Sequence, residues 1–349
     1  HKEYRRQRQM CIRDSQYSTA AYSNDFVEKL WQTNYGGRGG PYLGEGGGAF
    51  RCIFGNIASP PHGYIWDYAR RAGLTYRSYG EFAYNQTKSA SGDVTATAAV
   101  PGLSGATAPG FAAFDLEITD RQRADIWLNE FATYVANGNL PNLSIIRLGN
   151  DHTAGTRAGS PTPRAMMADN DVALGRIVEA ISQSAYWKDS AIFVLEDDAQ
   201  AGPDHVDAHR SVLLMASPFA KRGVVDHTFY TTSGVLRTIE LILGLPPMSE
   251  YDAAATPMYN AFQSGSDLAA FRRATPLVPL DERNIAGAYG SIDSLAMDFR
   301  DADRIPEQRL NEIVWRSVKG PNVPMPPPRR SIFSRPNSAN ADDDDEDEK

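Results

Sequence analysis

Cysteine is nearly absent from this chain. Its two residues, Cys11 and Cys52, cannot build a framework of disulfides, so stability has to come from a packed core. Long apolar runs are missing as well, and none approaches the ~20 residues that a membrane-spanning helix needs. The chain has no G-x-S-x-G nucleophile elbow, no P-loop and no G-x-G-x-x-G following a strand. Those absences remove the enzyme classes that depend on these signatures. A basic excess is also lacking. The formal net charge is -8, and the seven consecutive acids at 342–348 account for most of it. Bulk charge therefore argues against nucleic acid as a partner. No internal repeat is visible.

What is present fits a globular protein with a sizeable core: 349 residues, 42% hydrophobic and 22% charged. The two ends stand apart. Residues 1–15 carry five Lys and Arg without helical or strand periodicity, and Met10 to Ser15 resembles a peptide translated from sequencing-adapter DNA. This stretch reads as a non-native or disordered tail and is set aside from the fold. Residues 321–349 pass from Pro and Arg through Ser and Asn to acid, and read as a disordered acidic tail. The body is then 16–320.

Within the body, strands alternate with helices. A short helix is expected at Ser18–Leu30, a glycine-rich loop at Gly36–Gly48, a helix at Tyr64–Ala72 closed by Gly73, and a strand at Leu74–Tyr79. Residues 88–112 are small, polar and punctuated by Gly and Pro, and read as surface loop. Thr119 can cap a helix that Gly138 stops. Leu143–Leu148 reads as a strand, Arg164–Gln183 as a helix with Met167, Leu174, Ile177, Val178 and Ile181 on one face, and Ser190–Leu195 and Ser211–Ala216 as strands. Ser233 opens a helix ending at Leu243, and another runs from Pro306 to about Val318. This alternation predicts an α/β fold with a mostly parallel sheet flanked by helices on both faces.

Chemistry collects at three strand ends: Glu81, then Asp151 with His152, then Glu196, Asp197 and Asp198. Asp204, His205, Asp207 and His209 follow the last of these. Parallel strands would deliver all three ends to one edge, where α/β sheets bind ligands. Clustered carboxylates and imidazoles suit a divalent metal. The plainer alternative is that one acid caps a turn, another is solvated, and the histidines bond backbone. Asp204 and Asp207 could orient the histidine rings. His62 reads as surface, and His227 could face the same edge. Ser18 and Thr19 are hydroxyls best read as helix caps, so no residue stands out as a nucleophile.

The motifs Asn150-Asp151-His152-Thr153, Ala191 to Asp198, Pro203 to Val206, Ser217-Pro218, Arg222-Gly223-Val224 and Ser233 to Glu240 occur in a characteristic order. In that order they resemble the phosphoesterase family of phospholipases C and an acid phosphatase, within the alkaline-phosphatase-like superfamily. Ser18 to Tyr22, Tyr35 to Gly39 and Gly63 to Asp67 are similar to a subgroup often fused behind a YVTN-type β-propeller. The likeness covers about residues 16–318. One departure is Glu196-Asp197-Asp198, where phospholipase C-type members have Tyr-Asp-Glu.

The resemblance implies metal-dependent hydrolysis of small-molecule or lipid phosphate esters, with Asp197 as a ligand of a divalent metal (Zn, Mn, Mg or Ca) and Asp198 as a second; the clustering at the strand ends adds Asp151 and His209 as candidate ligands. His152 and His205, the candidate catalytic residues, would contact the metal or the phosphoryl group. A bacterial, periplasmic or secreted setting is implied too. The family's Glu-Asn-Arg element and Ser or Thr nucleophile have no counterpart here, which reads as N-terminal truncation and an inactive fragment. Sulfate-ester hydrolysis, phosphosugar mutation and a non-catalytic metal-binding surface module are the alternatives on the same fold.

Overall fold

The computed structural model describes residues 11–34, 57–89, 93–197, 211–299 and 305–326. Two helices open it, α1 (Cys11–Ala20) and α2 (Asp25–Asn34), followed by α3 (Ile65–Arg71) and strand β1 (Tyr76–Tyr79). A hairpin of β2 (Ala83–Lys88) and β3 (Val94–Ala98) precedes the long helix α4 (Asp120–Asn137). Next come β4 (Leu143–Ile146), α5 (Pro163–Ser182), β5 (Ile192–Leu195) and β6 (Leu213–Ala216). The chain continues through α6 (Thr232–Leu243), α7 (Glu250–Ala254), α8 (Ser291–Ala296) and α9 (Glu307–Lys319). No helix among the described residues is long and apolar enough to cross a membrane.

The centre is the parallel pair β1–β4, registered from Tyr76 with Leu143 to Tyr79 with Ile146. Alternation along the strands sends their side chains into two cores. Tyr76, Leu143 and Ile145 join Trp66 and Ala69 of α3 and Leu236 of α6. Tyr79 and Ile146 join Trp127 and Phe131 of α4 and Ala173 and Ile177 of α5. α4 begins as its sequence directs, with the Thr119 hydroxyl accepting from the Gln122 N–H and the Gln122 side chain closing a capping box. It ends at Gly138, whose φ of 68° is one that glycine adopts without strain.

Several expectations need correction. The strand pairing is mixed among the described residues: β1–β4 is parallel, whereas β2–β3 and β5–β6 are antiparallel. Antiparallel neighbours need no helical crossover, so the strand after residues 196–212 can return beside β5. The stretch 88–112 is not surface loop. It contains β3 and then Ala99, Val100, Leu103, Ala108 and Phe111, all buried. Small residues there allow close packing, which composition alone reads as a turn-rich loop.

The single helix expected over 18–30 is two. Ala21 takes a φ of 49°, and the Asn24 carboxamide accepts from the Val27 N–H 3.0 Å away to start α2. α1 begins inside the segment set aside as tail, and Ser15 and Gln16 are buried. On α5, Met166 is buried and Met167 is exposed, one position off the expected face. α6 is capped by Thr231 rather than Ser233. The Gly36–Gly48 loop lies outside the described residues.

Candidate functional site

Because β1 and β4 are parallel and in register, their carboxyl ends share an edge. The ladder continues one step, with the Arg147 N–H donating to the Tyr79 carbonyl at 3.0 Å. Gly80 then turns the chain at a φ of 83°, where a Cβ would fall 2.9 Å from the Ala112 carbonyl. That turn sets Glu81 beside Arg147, with Nε 3.9 Å from Oε2 and both side chains largely buried. The Arg147 guanidinium lies over the Phe114 ring, 5.4 Å from its centre. Phe114 in turn meets the His152 ring edge-on, centroids 5.1 Å apart at 82°. Arg147 escaped sequence reasoning because it sits inside a run read as an apolar strand. Its signal was a lone charge at the strand's carboxyl end.

After β4, Asn150–His152 forms a single 3₁₀ turn. Its exit is strained, with Thr153 at φ 55° and ψ 162°. A β-branched residue there is a genuine outlier, and such strain costs about 1–3 kcal/mol and gathers at functional sites. The turn also holds polar atoms with nothing to bond. Asn150 Oδ1, Asp151 Oδ1 and Thr153 Oγ1 are buried without a hydrogen-bond partner. Three such atoms in four residues call for an explanation, and a bound ligand is one.

Burial pushes the Asp151 carboxyl above the usual carboxylate range; His152 opposes the shift and the charge of Asp197 adds to it. Glu196 is raised by burial, then by Asp151 and Asp197. The structure thus brings Asp151, His152, Glu196 and Asp197 into one electrostatic neighbourhood. Mutual repulsion among these carboxylates is relieved by a proton or by a cation. Their hard oxygen donors suit a hard or borderline divalent ion.

Among the described residues, no three His, Cys, Asp or Glu side chains are placed to hold a metal by themselves. Asp198, Asp204, His205, Asp207 and His209 lie outside the described residues. His62 and His227 are exposed. Ser18 and Thr19 are not caps. Inside α1 their hydroxyls donate to the Ser15 carbonyl at 3.2 and 2.6 Å.

The Phosphoesterase family model matches residues 55–246, more than half of the chain. The chain belongs to the Phosphoesterase family. Membership implies hydrolysis of phosphate esters. The matched stretch takes in α3 through α6, and so every strand that builds the site. No curated protein matches the chain at a significant level.

Proposed function

We propose that the protein is a metal-dependent phosphate-ester hydrolase of phosphatase or phospholipase C type, working at the edge formed by the ends of β1, β4 and β5. The observation that carries this reading is the turn after β4, where Asn150 Oδ1, Asp151 Oδ1 and Thr153 Oγ1 are buried without a hydrogen-bond partner, with Asp197 close enough to act on Asp151. Carboxylates gathered at the strand ends of a phosphoesterase are what a divalent cation and a phosphate ester together require.

In this reading Asp151, Asp197, Asp198 and His209 hold the ion, which when bound supplies charge to polarise the phosphoryl oxygen. His152 and His205 steady charge on the phosphoryl group or deliver a proton to the leaving oxygen. Phe114 fixes the His152 ring against one face of the site. The Arg147 guanidinium, which lies over the Phe114 ring, adds a positive charge suited to phosphate oxygens. The Ser or Thr that would take up the phosphoryl group is assigned to no described residue. A periplasmic or secreted setting and a β-propeller in a longer protein belong to the same reading.

The test is hydrolysis of p-nitrophenyl phosphate, bis-p-nitrophenyl phosphate and p-nitrophenyl sulfate after chelation and after restoring Zn, Mn, Mg or Ca. Phosphate-ester turnover that returns with one metal supports the proposal. Turnover of the sulfate ester alone would make the protein a sulfatase. Metal binding without any turnover would make it a binding module.

A further inference from the structure

The Gly149–His152 turn is gripped from behind by two carboxylates that are not part of the site. Asp120, the first residue of α4, is wholly buried, and Asp169 on α5 is 3% exposed. Asp120 Oδ1 accepts from the Gly149 N–H at 3.2 Å, and its Oδ2 accepts from the Asn150 N–H at 2.9 Å. Asn170 Nδ2 donates to the same Oδ2 at 3.1 Å. Asp169 Oδ2 accepts from the Asn150 side-chain Nδ2 at 3.0 Å and from the Asp120 N–H at 2.6 Å. Charge balance is local: Arg123 donates to Asp120 at 2.9 Å, and Arg121 to Asp169.

We propose that Asp120 and Asp169 are positioning residues whose paired grip on Gly149 and Asn150 sets the orientation of Asp151 and His152 at the phosphoesterase site. The inference deepens the proposed function and rests on it for its catalytic consequence. Three observations carry it. The turn is closed on itself by His152 N–H to Gly149 carbonyl and Thr153 N–H to Asn150 carbonyl bonds, so residues 151–153 follow wherever 149 and 150 are held. Asp151 Oδ1 has no hydrogen-bond partner, and the backbone bonds to its carboxyl come from Asp151 and His152, inside the same turn. The strained Thr153 backbone persists only if its surroundings over-determine it, and the bonds that the buried Asp120 carboxylate accepts from Gly149 and Asn150 are charge-assisted restraints at the start of the same turn. Substituting Asn for Asp120 keeps the volume, weakens the grip and removes no side chain from the site itself.

The experiment compares wild type, Asp120→Asn and a destabilised control, Leu236→Ala, which lies in the other core. Two properties are read on the full chain: the nuclear Overhauser contact between the His152 and Phe114 rings, and kcat and KM for p-nitrophenyl phosphate with Mn²⁺. We expect Asp120→Asn to lose the ring contact and to lower kcat by on the order of tenfold or more, with KM changed by about twofold at most. Leu236→Ala should lower the unfolding temperature and keep the contact. If Asp120→Asn loses stability yet keeps both the contact and kcat, the two carboxylates are scaffold only and the proposal is overturned. Should Asp120→Asn fail to fold, Asp169→Asn weakens the hold on the Asn150 side chain while leaving Asn150 itself intact, and the same readouts decide. A wild type without hydrolysis would end the phosphoesterase mechanism, while the ring contact would still decide the clamp.

Discussion

Asp151 and Asp197 follow two strands that do not pair with each other among the described residues, β4 and β5, yet the charge of Asp197 raises the proton affinity of Asp151. The Asp151 carboxylate is disfavoured first by burial and then by the negative charge of Asp197. A site so arranged is poised to take up positive charge.

Replacing Asp197 tests that directly. Asp197→Ala should abolish Mn²⁺ binding followed by calorimetry, because it removes the carboxylate that faces Asp151 from the second strand. Ser18→Ala should bind as wild type does, since the Ser18 hydroxyl is occupied by the Ser15 carbonyl inside α1. Equal affinity in wild type and Asp197→Ala would remove Asp197 from the site.

Thr153→Val separates hydroxyl from backbone. Both residues are β-branched, so the unusual backbone is unchanged, while a buried hydroxyl without a partner disappears. Chemical denaturation of the ligand-free protein should show no loss, or a gain of about 1 kcal/mol. A loss of more than about 1 kcal/mol would mean that the hydroxyl is bonded in solution.

Arg123 is 2% exposed and donates to Asp120 and to the carbonyls of Ala112, Ala113, Asp115 and Ile118. Its planar fork ties the start of α4 to the loop before it. Arg123→Ala leaves a buried carboxylate and several carbonyls unpaired, and should destabilise by about 3–5 kcal/mol. Arg123→Lys should recover little of this, because an ammonium cannot reproduce the fork. Denaturant unfolding of the two variants checks both statements, and full recovery by lysine would contradict the second.

Glu240 on α6 and Asp252 on α7 are both wholly buried. Glu240 Oε1 meets no donor, whereas Oε2 accepts from Arg237 at 3.0 Å. Burial, then hydrogen bonding to Asp252, pushes the Glu240 carboxyl up to about 8. A proton on Oε1 can then be donated to Asp252, whose own pKa lies below the usual value: burial opposes that depression, and bonds from Glu240, Met248 and Ser249 outweigh it. For a carboxyl raised on folding, the folded state binds the proton more tightly. Its stabilising contribution is therefore complete below about 4.5 and lost as pH rises through about 8. Glu240→Gln carries a permanent donor and should flatten that decline, matching wild type near pH 5 and exceeding it near pH 9 in thermal melts. Parallel profiles for the two proteins would show that no proton is shared.

Much of the local structure was legible in advance. Thr119 and Gly138 bound α4 as a cap and a stop should, and Gly73 and Gly244 close α3 and α6 in the left-handed region. The same reading missed β2, because Ala83–Lys88 lacks the apolar alternation of a half-buried strand. It also misjudged 88–112, because small residues mark both loops and close packing. Arg147 was hidden by its apolar neighbours.

By itself the sequence determined where α4 begins and ends, which strand ends carry acids and imidazoles, and that the chain resembles a phosphoesterase. Those properties rest on interactions within a few residues, or on motif order, and both can be read along a line. Only the tertiary structure decided that β5 pairs antiparallel with β6, that Arg147 lies beside Glu81, and that Asp120 and Asp169 grip the turn bearing Asp151 and His152. Each of these depends on partners brought together from distant parts of the chain. Burial also strips a charged residue of water, and its place is then fixed by whichever partners the fold supplies.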